Sequence, residues 1–472
     1  MKTGKEIFRT LRFAAMNGRT NSNWAAGVAR WRITPPPGVE LAGLGYYLNR
    51  TWERVRDDLN ATALVISDDV GGAVAFVALD LMYNDTAFTR AVREQVYTQT
   101  NLRPEAICVN FSHSHNAPTA GLILGGGERD ENYLAFAAKT AATTVVEAWR
   151  NRRPAQLFVG KGELAGMTFN RTRENGPMDT RVNVLRADTL DGKPLAVAVN
   201  FHSHCTAHME VDLRAVSRDW PGEVVGQIEA ALPGVTTLYL QGTAGDVNFR
   251  REFNGTERRF EPARAVTRTS LDAIAKARPI EATGVGAVAR RIILPTRRWT
   301  REEIMREREE GLHRLKTGDT SGWLDGVARV CVNQPERLPL RYGGDVAKAV
   351  AAVARFAVEW TDAILSDLES REETLLTEIQ AFRIGDVFFC ANEAELFTSL
   401  GLEVRRQWPH ADLFMLGYAN GSIGYLPDAY DVARGSYAAL QSPKFTGQFP
   451  FTTESGGAMV NGLLTTLESV RS

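Results

Sequence analysis

Short apolar runs alternate along the chain with longer segments in which apolar residues recur at helical spacing. The short runs predict strands near residues 63–66, 74–79, 106–111, 182–186, 195–201, 237–240, 285–294, 378–383 and 387–390. The helical spacing predicts helices near residues 86–100, 131–150, 220–232 and 396–408. This order is typical of an α/β protein with mixed β-sheets and flanking helices.

The pattern changes between about residues 301 and 371. Charge density rises there, and the segments 302–315 and 346–366 keep a period of 3.6, which predicts a helical insertion packed on the α/β body. Residues 1–25 are polar and unpatterned and are expected to form a loose N-terminal segment. No linker divides residues 26–472, which are expected to form one domain that ends in an irregular stretch rich in Gly, Tyr and Pro.

Composition excludes several classes of protein. Lys and Arg total 55 and Asp and Glu total 56, a balance that argues against a nucleic-acid partner. Hydrophobic residues make up 44% and charged residues 24%, which excludes wholesale disorder. The longest apolar runs are far shorter than the roughly 20 residues of a transmembrane helix.

The first residues lack the apolar core of a secretory signal, and the four cysteines show no metal-type or disulfide-type spacing. We therefore expect reduced thiols and a cytoplasmic location.

Histidine is rare but concentrated. The chain has seven histidines, and five of them lie in two short clusters, each at the end of an apolar strand: His113 and His115, then His202, His204 and His208. Ligands of α/β proteins gather beyond the carboxyl ends of strands. Two strand ends that carry imidazoles would therefore direct several nitrogens into one crevice.

The spacing of the first cluster has a chemical consequence. Residues i and i+2 of an extended segment share a face about 6–7 Å apart, so His113 and His115 can both face one site. Imidazole suits zinc, and a catalytic zinc usually keeps three protein ligands and one open position. A lone His-x-His pair is more often structural, but two matching clusters favour a metal site. His313 and His410, outside the clusters, are expected to be solvated or structural.

Other motifs accompany the histidines in a fixed order over most of the chain. They are Gly27-Val28-Ala29-Arg30, Ser112-His113-Ser114-His115-Asn116-Ala117-Pro118, Phe169-Asn170-Arg171, His204-Cys205-Thr206, Asp219-Trp220-Pro221-Gly222, Gly242-Thr243-Ala244-Gly245-Asp246-Val247-Asn248, Glu395-Leu396-Phe397 and Gly424-Tyr425-Leu426-Pro427, with Tyr437 twelve residues after Tyr425. In this order they resemble the neutral/alkaline non-lysosomal ceramidase family, specifically its zinc-dependent catalytic domain. The resemblance implies an α/β catalytic domain with mixed sheets over residues 26–472.

The resemblance also implies roles for individual residues. The implied zinc ligands are His113, His204, Glu395 and Tyr425. The implied catalytic groups, beside the attacking water and the scissile carbonyl, are His115 and Tyr437, and Arg171 is implied to touch the substrate. Glu393 is the alternative to Glu395 as the ligand, because the segment 392–395 can be matched to the motif in two ways that differ by two residues. The alternative for each glutamate alone is a solvated or helix-capping carboxylate, for each tyrosine a core residue, and for Arg171 an ion-pair residue.

The glycine-rich loop over residues 241–248 supplies three further candidates for substrate binding. Its backbone amides, at Gly245 among others, are expected to reach the substrate, and Asp246 is expected there or behind a ligand histidine. The alternative is an ordinary turn. Asn248 stands where the family has a serine, so any role that needs a hydroxyl at that position is lost. Asp219 and His202 could support the ligands or simply cap and pack, and His208 could line the site.

The resemblance implies a zinc-dependent hydrolase that cleaves the amide bond of an N-acyl substrate, a small molecule or a lipid, as in ceramide and sphingolipid metabolism. Family ceramidases carry a C-terminal β-sandwich domain that we expect this divergent member to lack, and ceramide itself is therefore not assured as the substrate. One alternative keeps the metal and cleaves an ester, a lactone or a sugar derivative. Another is a non-catalytic metal-binding or ligand-binding relative, which Asn248 would favour and the intact His115 and Tyr437 oppose.

Overall fold

The structure, a computed structural model, describes residues 23–209, 211–327, 335–410 and 412–471. Most of the expected loose N-terminal segment and Cys331 lie outside the described residues. Strand β1 begins at Trp24, inside the segment that was expected to be loose. The division of the chain into domains stays a prediction.

The described residues form the following elements. The strands are β1 (Trp24–Arg32), β2 (Arg54–Val55), β3 (Asn60–Asp68), β4 (Ala73–Leu79), β5 (Ile107–Phe111), β6 (Arg153–Glu163), β7 (Thr168–Asn170), β8 (Arg181–Thr189), β9 (Pro194–Phe201), β10 (Ala215–Val216), β11 (Thr236–Gln241), β12 (Val247–Phe249), β13 (Arg278–Pro279), β14 (Val285–Pro295), β15 (Thr374–Ile384), β16 (Val387–Asn392), β17 (Glu395–Leu396), β18 (Leu413–Leu416) and β19 (Tyr425–Leu426). The α-helices are α1 (Thr86–Thr100), α2 (Glu131–Arg150), α3 (Asp219–Ala231), α4 (Glu261–Ala275), α5 (Arg301–Thr317), α6 (Trp323–Val327), α7 (Val346–Leu365), α8 (Thr398–Gln407), α9 (Ala429–Ala433), α10 (Tyr437–Leu440), α11 (Ser442–Phe445) and α12 (Ser455–Arg471). Two 3-10 helices cover Pro104–Ala106 and Pro335–Tyr342.

The largest sheet has the order β11-β9-β8-β6-β1-β3-β4-β5, with β13 paired to β6. Both of its edge pairs, β4 with β5 and β9 with β11, are parallel, whereas the pairs between them are antiparallel. Helix α2 packs on β1 and β3, and helix α4 packs on β6 and β8. This mixed architecture confirms the predicted α/β class.

A second sheet, β14-β15-β16-β18, covers the first. Phe76 of β4 meets Phe382 of β15 and Phe389 of β16, with ring centroids 5.2 and 4.8 Å apart. Neighbouring residues of a strand point to opposite faces, so Ile379 and Ala381 face away from this contact, in the cluster that packs against helix α12. The resulting layers are helix, sheet, sheet and helix.

Helix α12 corrects the expectation of an irregular C-terminal stretch. Its buried apolar residues recur at helical spacing: Met459, Val460, Leu463, Leu467 and Val470. Two glycines near its first turn, Gly456 and Gly457, lower the local helix propensity, and the helix is held by its packing on β14 and β15.

The charged stretch near 301–371 leaves the second sheet after β14 and returns at β15. Its helices α5 and α7 pack on each other, and Phe356 and Trp360 of α7 join a cluster with Tyr46 and Phe445. The two helices therefore pack on loops of the α/β body, which is the position expected of the predicted insertion. Among the described helices, none combines the length and the apolar character that a membrane crossing requires.

Gly27 of β1 tests the packing of the first sheet on α2. A Cβ added to Gly27 would lie 2.1 Å from the carbonyl oxygen of Ala148, so we expect Gly27→Ala to lower the free energy of unfolding by about 1–3 kcal/mol. In the exposed face of α3, Gly226 has open space around it, and Gly226→Ala should raise the same quantity by up to about 1 kcal/mol. Urea unfolding measures both; equal effects would contradict this packing.

Candidate active site

The two histidine clusters meet because two strand exits run side by side. Strand β5 ends at Phe111 and β9 ends at Phe201, and beyond them Ser114 and Cys205 form a parallel bridge. The N–H of His115 donates to the carbonyl of Cys205 at 3.3 Å. Segments that leave two strands in parallel direct their side chains into one crevice, and here that crevice holds histidines of both clusters.

His113 adopts an unusual backbone conformation at this point. Its φ is +64°, in the left-handed region that residues with a Cβ seldom occupy. The conformation is held by a hydrogen bond from the N–H of His113 to the carbonyl of Leu81 at 3.0 Å. Strained backbone of this kind is concentrated at functional sites, where the surrounding structure fixes it.

Four of the predicted donor atoms converge on one buried point. Nε2 of His113 lies 3.4 Å and Nε2 of His204 lies 3.2 Å from Oε2 of Glu395. Oη of Tyr425 lies 3.2 Å from Nε2 of His204. Nε2 of His115 lies 3.2 Å from Nε2 of His113, and one ring nitrogen from each of the three histidines lies within 4.8 Å of the other two. Atoms this close can share a single small cation.

Glu395 and Tyr425 arrive by a different route. Strands β17 and β19 form a short parallel pair in which Glu395 stands opposite Tyr425. The N–H of Glu395 donates to the carbonyl of Gly424 at 2.9 Å, which fixes this register. A carboxyl and a phenol thirty residues apart are therefore neighbours.

Glu393 occupies a separate site. Its Oε2 accepts a hydrogen bond at 2.7 Å from the hydroxyl of Thr377, a residue of β15 in the second sheet. Burial raises the pKa of Glu393 to about 7. The structure thus places Glu395, and not Glu393, beside the histidines.

The tautomer of His204 follows from its hydrogen bonds. Its Nδ1 lies 2.7 Å from the carbonyl of Ala244 and 3.2 Å from that of Val247. Carbonyl oxygens only accept, so Nδ1 carries the proton and Nε2 presents a lone pair to Glu395 and Tyr425. This arrangement is the one by which proteins orient metal-binding histidines.

The electrostatics of the cluster fit a cation. Burial lowers the pKa of His113 and His204 well below the usual range, and burial with the nearby Arg50 guanidinium lowers the pKa of His115 to about 3. The three rings are therefore neutral at pH 7, the form that binds metal. Burial raises the pKa of Glu395 well above its usual range. A divalent cation among these donors would favour the carboxylate and remove the cost of burying it.

Three contributors to the site carried no sequence motif. The hydroxyl of Tyr83 donates to Oε1 of Glu395, and Oη of Tyr418 lies 3.5 Å from Oε2, with its ring 4.5 Å from that of His113. Arg50, fully buried, donates to the backbone carbonyls of His115 and, at 3.0 Å, of Ala42. Tyr83 follows the end of β4 and Tyr418 the end of β18, so their positions after strands were the available signal.

A cavity opens onto this cluster from outside. Its lining includes His115, Tyr425, Tyr437, Arg171 and Asn248. The ring of Tyr437 lies 6.0 Å from that of Tyr425, centroid to centroid. Nη2 of Arg171 donates to the carbonyl of Gly245 at 2.8 Å and to Oη of Tyr425, and lies 3.3 Å from Nε2 of His204.

The glycine-rich loop is built differently from our expectation. The N–H of Gly245 donates to the carbonyl of Leu396 at 3.1 Å, so this amide is already used within the protein. The carboxylate of Asp246 accepts from Nδ2 of Asn170 at 2.6 Å and from the N–H of Thr398 at 2.8 Å. Neither residue lines the cavity, because the side chain of Asp246 turns towards Asn170 and Thr398 and the amide of Gly245 towards Leu396. Backbone carbonyls of the loop, and not Asp246, hold His204. Asn248 does reach the cavity, and its Oδ1 is buried without a partner among the described residues.

The remaining candidates serve the scaffold. The carboxylate of Asp219 accepts from the N–H groups of Ala207 and His208 at 3.0 and 2.9 Å, which caps that turn. Nδ1 of His202 accepts from the N–H of Thr243 at 3.0 Å, and Nε2 of His208 lies 3.0 Å from Glu223. These histidines point away from the cluster.

The two neighbouring glutamates give a matched pair of variants. We expect Glu395→Gln to lower bound metal in the purified protein by at least about tenfold, because a neutral amide replaces the anionic donor of the cluster. Glu393→Gln, an identical change at a buried carboxyl outside the cluster, should keep the metal. Elemental analysis measures both, with circular dichroism as the folding control. Metal loss in Glu393→Gln alone would contradict the assignment.

Comparisons with known proteins agree with this architecture. No protein-family model matches the chain. Neutral ceramidase A of Dictyostelium discoideum is 23% identical over 263 residues, which cover 48% of this chain and 36% of that relative. The match therefore spans about a third of the relative's length.

The solved structures extend the likeness to almost the whole chain. The crystal structure of neutral ceramidase from Pseudomonas aeruginosa superposes with a TM-score of 0.71 at 15% identity, over 96% of this chain and 75% of that chain. A ceramidase complexed with C2 gives a TM-score of 0.71 at 16% identity, over 96% of this chain and 76% of that one. At this identity the likeness establishes the fold alone: the chain has a neutral-ceramidase-like fold.

Proposed function

We propose that this protein is a metal-dependent hydrolase that cleaves the amide bond of an N-acyl substrate, with zinc as the metal. The observation that carries the proposal is the convergence of His113, His204, Glu395 and Tyr425 on one buried point at the base of a cavity. The relatives support the choice of reaction, since those named above are ceramidases.

The donor set fits the proposed metal. Neutral imidazole nitrogens and a carboxylate oxygen are the ligands that zinc prefers, and a phenol beside them can add a fourth donor. When bound, such a cation supplies Lewis-acid polarisation and makes water acidic enough to act as a nucleophile near neutral pH. The remaining chemistry falls to the chain's own residues.

His115 is placed to move the proton. It lines the cavity, and its ring is neutral at pH 7, with a lone pair available to accept a proton from the attacking water. The protonated ring then passes its proton to the leaving nitrogen. In the balanced reaction, water adds its oxygen to the acyl carbon, the C–N bond breaks and the amine leaves with the proton.

Tyr437 and Arg171 complete the proposed machinery. Tyr437 lines the cavity near Tyr425, where its hydroxyl can donate to the oxygen on which negative charge develops. Arg171 holds the Tyr425 oxygen by a hydrogen bond and so orients that donor. Esters would meet the same groups, so the choice of an amide is tested separately.

His115→Ala separates a proton-transfer role from a ligand role. We expect this variant to keep its metal and to lose turnover by about 10²-fold or more, the usual contribution of a positioned acid–base group. Metal content and kcat are measured on the same preparation, and His313→Ala, at an exposed histidine far from the cluster, is the control. Loss of metal in His115→Ala would make His115 a ligand, which its distance of 3.2 Å from His113 permits.

The reaction itself is tested with paired substrates. An N-acyl amide and the ester of the same acyl group should both be bound, and we expect the amide to be hydrolysed by the untreated protein and not after chelation, with recovery on adding zinc. His113→Ala and His204→Ala should each lose metal and amide hydrolysis together. Amide hydrolysis that survives chelation would refute the metal-dependent mechanism, and hydrolysis of the ester alone would refute the amide.

A further inference from the structure

The cavity above the histidine cluster is strongly one-sided in charge. Four arginines line it, drawn from three separate segments: Arg171 after β7, Arg251 after β12, and Arg337 and Arg341 from the 3-10 helix Pro335–Tyr342. No aspartate or glutamate belongs to its lining among the residues that the structure describes. A cleft lined by one sign of charge concentrates ligands of the other sign.

The contacts of Arg171 and Arg251 preserve the positive charge of these two side chains. Arg171 donates to the carbonyl of Gly245 at 2.8 Å. A backbone carbonyl orients a guanidinium without neutralising it. The guanidinium of Arg251 lies 5.9 Å from the ring centroid of Phe169, which lines the cavity beside it.

The neighbouring Arg250 shows what an ordinary surface arginine does in this chain. Its Nε donates to the carboxylate of Glu252 at 3.2 Å, and Arg250 does not line the cavity. Two consecutive arginines thus differ in environment. One forms an exposed ion pair, and the other stands at the wall of the proposed active site.

Apolar side chains form another part of the lining. Met82, Ile123, Leu338 and Phe445 contribute to it. An acyl chain suits such a surface, since apolar burial contributes about 25 cal/mol per Å². The cavity therefore combines a surface for a hydrocarbon chain with a group of guanidinium donors, which bind carboxylate or phosphate through paired hydrogen bonds.

We propose that the substrate is an anionic N-acyl compound, an amide that carries a carboxylate or a comparable acidic group near the scissile bond. This inference rests on the proposed amide hydrolysis and specifies its substrate class. For an N-acyl amino acid, water supplies the hydroxyl of the released fatty acid and the proton of the released amine, and the carboxylate held by the arginines takes no part in bond breaking. Arg251 acts as a specificity-determining residue.

Hydrolysis is compared for N-octanoylglycine and N-octanoylglycinamide, which share the acyl chain and the scissile amide and differ in charge. We expect kcat/KM to favour the anionic compound by roughly tenfold or more, the usual effect of one charged hydrogen bond. Arg251→Gln should remove most of this preference, whereas Arg250→Gln, the matched control, should keep it. High salt should reduce the preference.

Binding supplies a readout that does not need turnover. The sulfonamide analogues N-(octylsulfonyl)glycine and N-(octylsulfonyl)glycinamide resist hydrolysis, and titration calorimetry on the protein as purified gives their Kd values. A preference of about tenfold for the anionic analogue that Arg251→Gln abolishes supports the substrate class, even if neither amide is cleaved and the proposed hydrolysis fails. Equal or tighter binding of the neutral analogue overturns it, even if both amides are cleaved. Equal effects of Arg251→Gln and Arg250→Gln overturn it too.

Discussion

The buried carboxyl of Glu395 is the group around which the site is organised. It is 1% exposed and has two imidazoles and two phenols around it, in a region where an uncompensated negative charge would be costly. Hydrogen bonds from Tyr83 and Tyr418 offset part of that free-energy cost, and a cation among the same atoms would offset the rest. The same burial keeps the histidines neutral. Burial therefore prepares both the imidazole nitrogens and the Glu395 carboxylate to bind a cation.

Two contacts between backbone segments hold this arrangement in the fold. The exits of β5 and β9 bring the histidines together through the bridge between Ser114 and Cys205, and the β17–β19 pair brings Glu395 to Tyr425. Each of these contacts is between backbone groups, whose positions are fixed by the packing of the two sheets. The side chains therefore need little reorganisation, which is the condition for tight metal binding and for catalysis by placed groups.

The wall of the cavity is built from less regular parts. Arg251 follows a three-residue strand, and Arg337 and Arg341 lie on a 3-10 helix within the stretch between β14 and β15. Substrate preference would thus be set by loops and by the charged helical stretch, whereas the reacting centre is set by the sheets. This division is common among enzymes, because loops can change without disturbing the core.

Local pattern was sufficient for most elements and for the key histidines. Helix α2 was predicted over the observed residues, and His113 and His204 were singled out by their positions after apolar strands. Strand β6 was missed because Pro154, Gly160 and Gly162 interrupt its strand pattern. Helix α12 was missed because its first turn contains glycines. Both are stabilised by partners distant in the chain, which a local pattern does not contain.

By itself the sequence determined the α/β class, the histidine clusters and the acid–base chemistry available to them, because strand and helix periodicity and side-chain type are local properties. Only the tertiary structure decided that Glu395 and not Glu393 joins the histidines, that Tyr83, Tyr418 and Arg50 support them, and that Gly245 and Asp246 turn away from the cavity. Those outcomes depend on the register of β17 against β19, which lie thirty residues apart, and on the packing of strand ends through contacts between residues hundreds of positions apart.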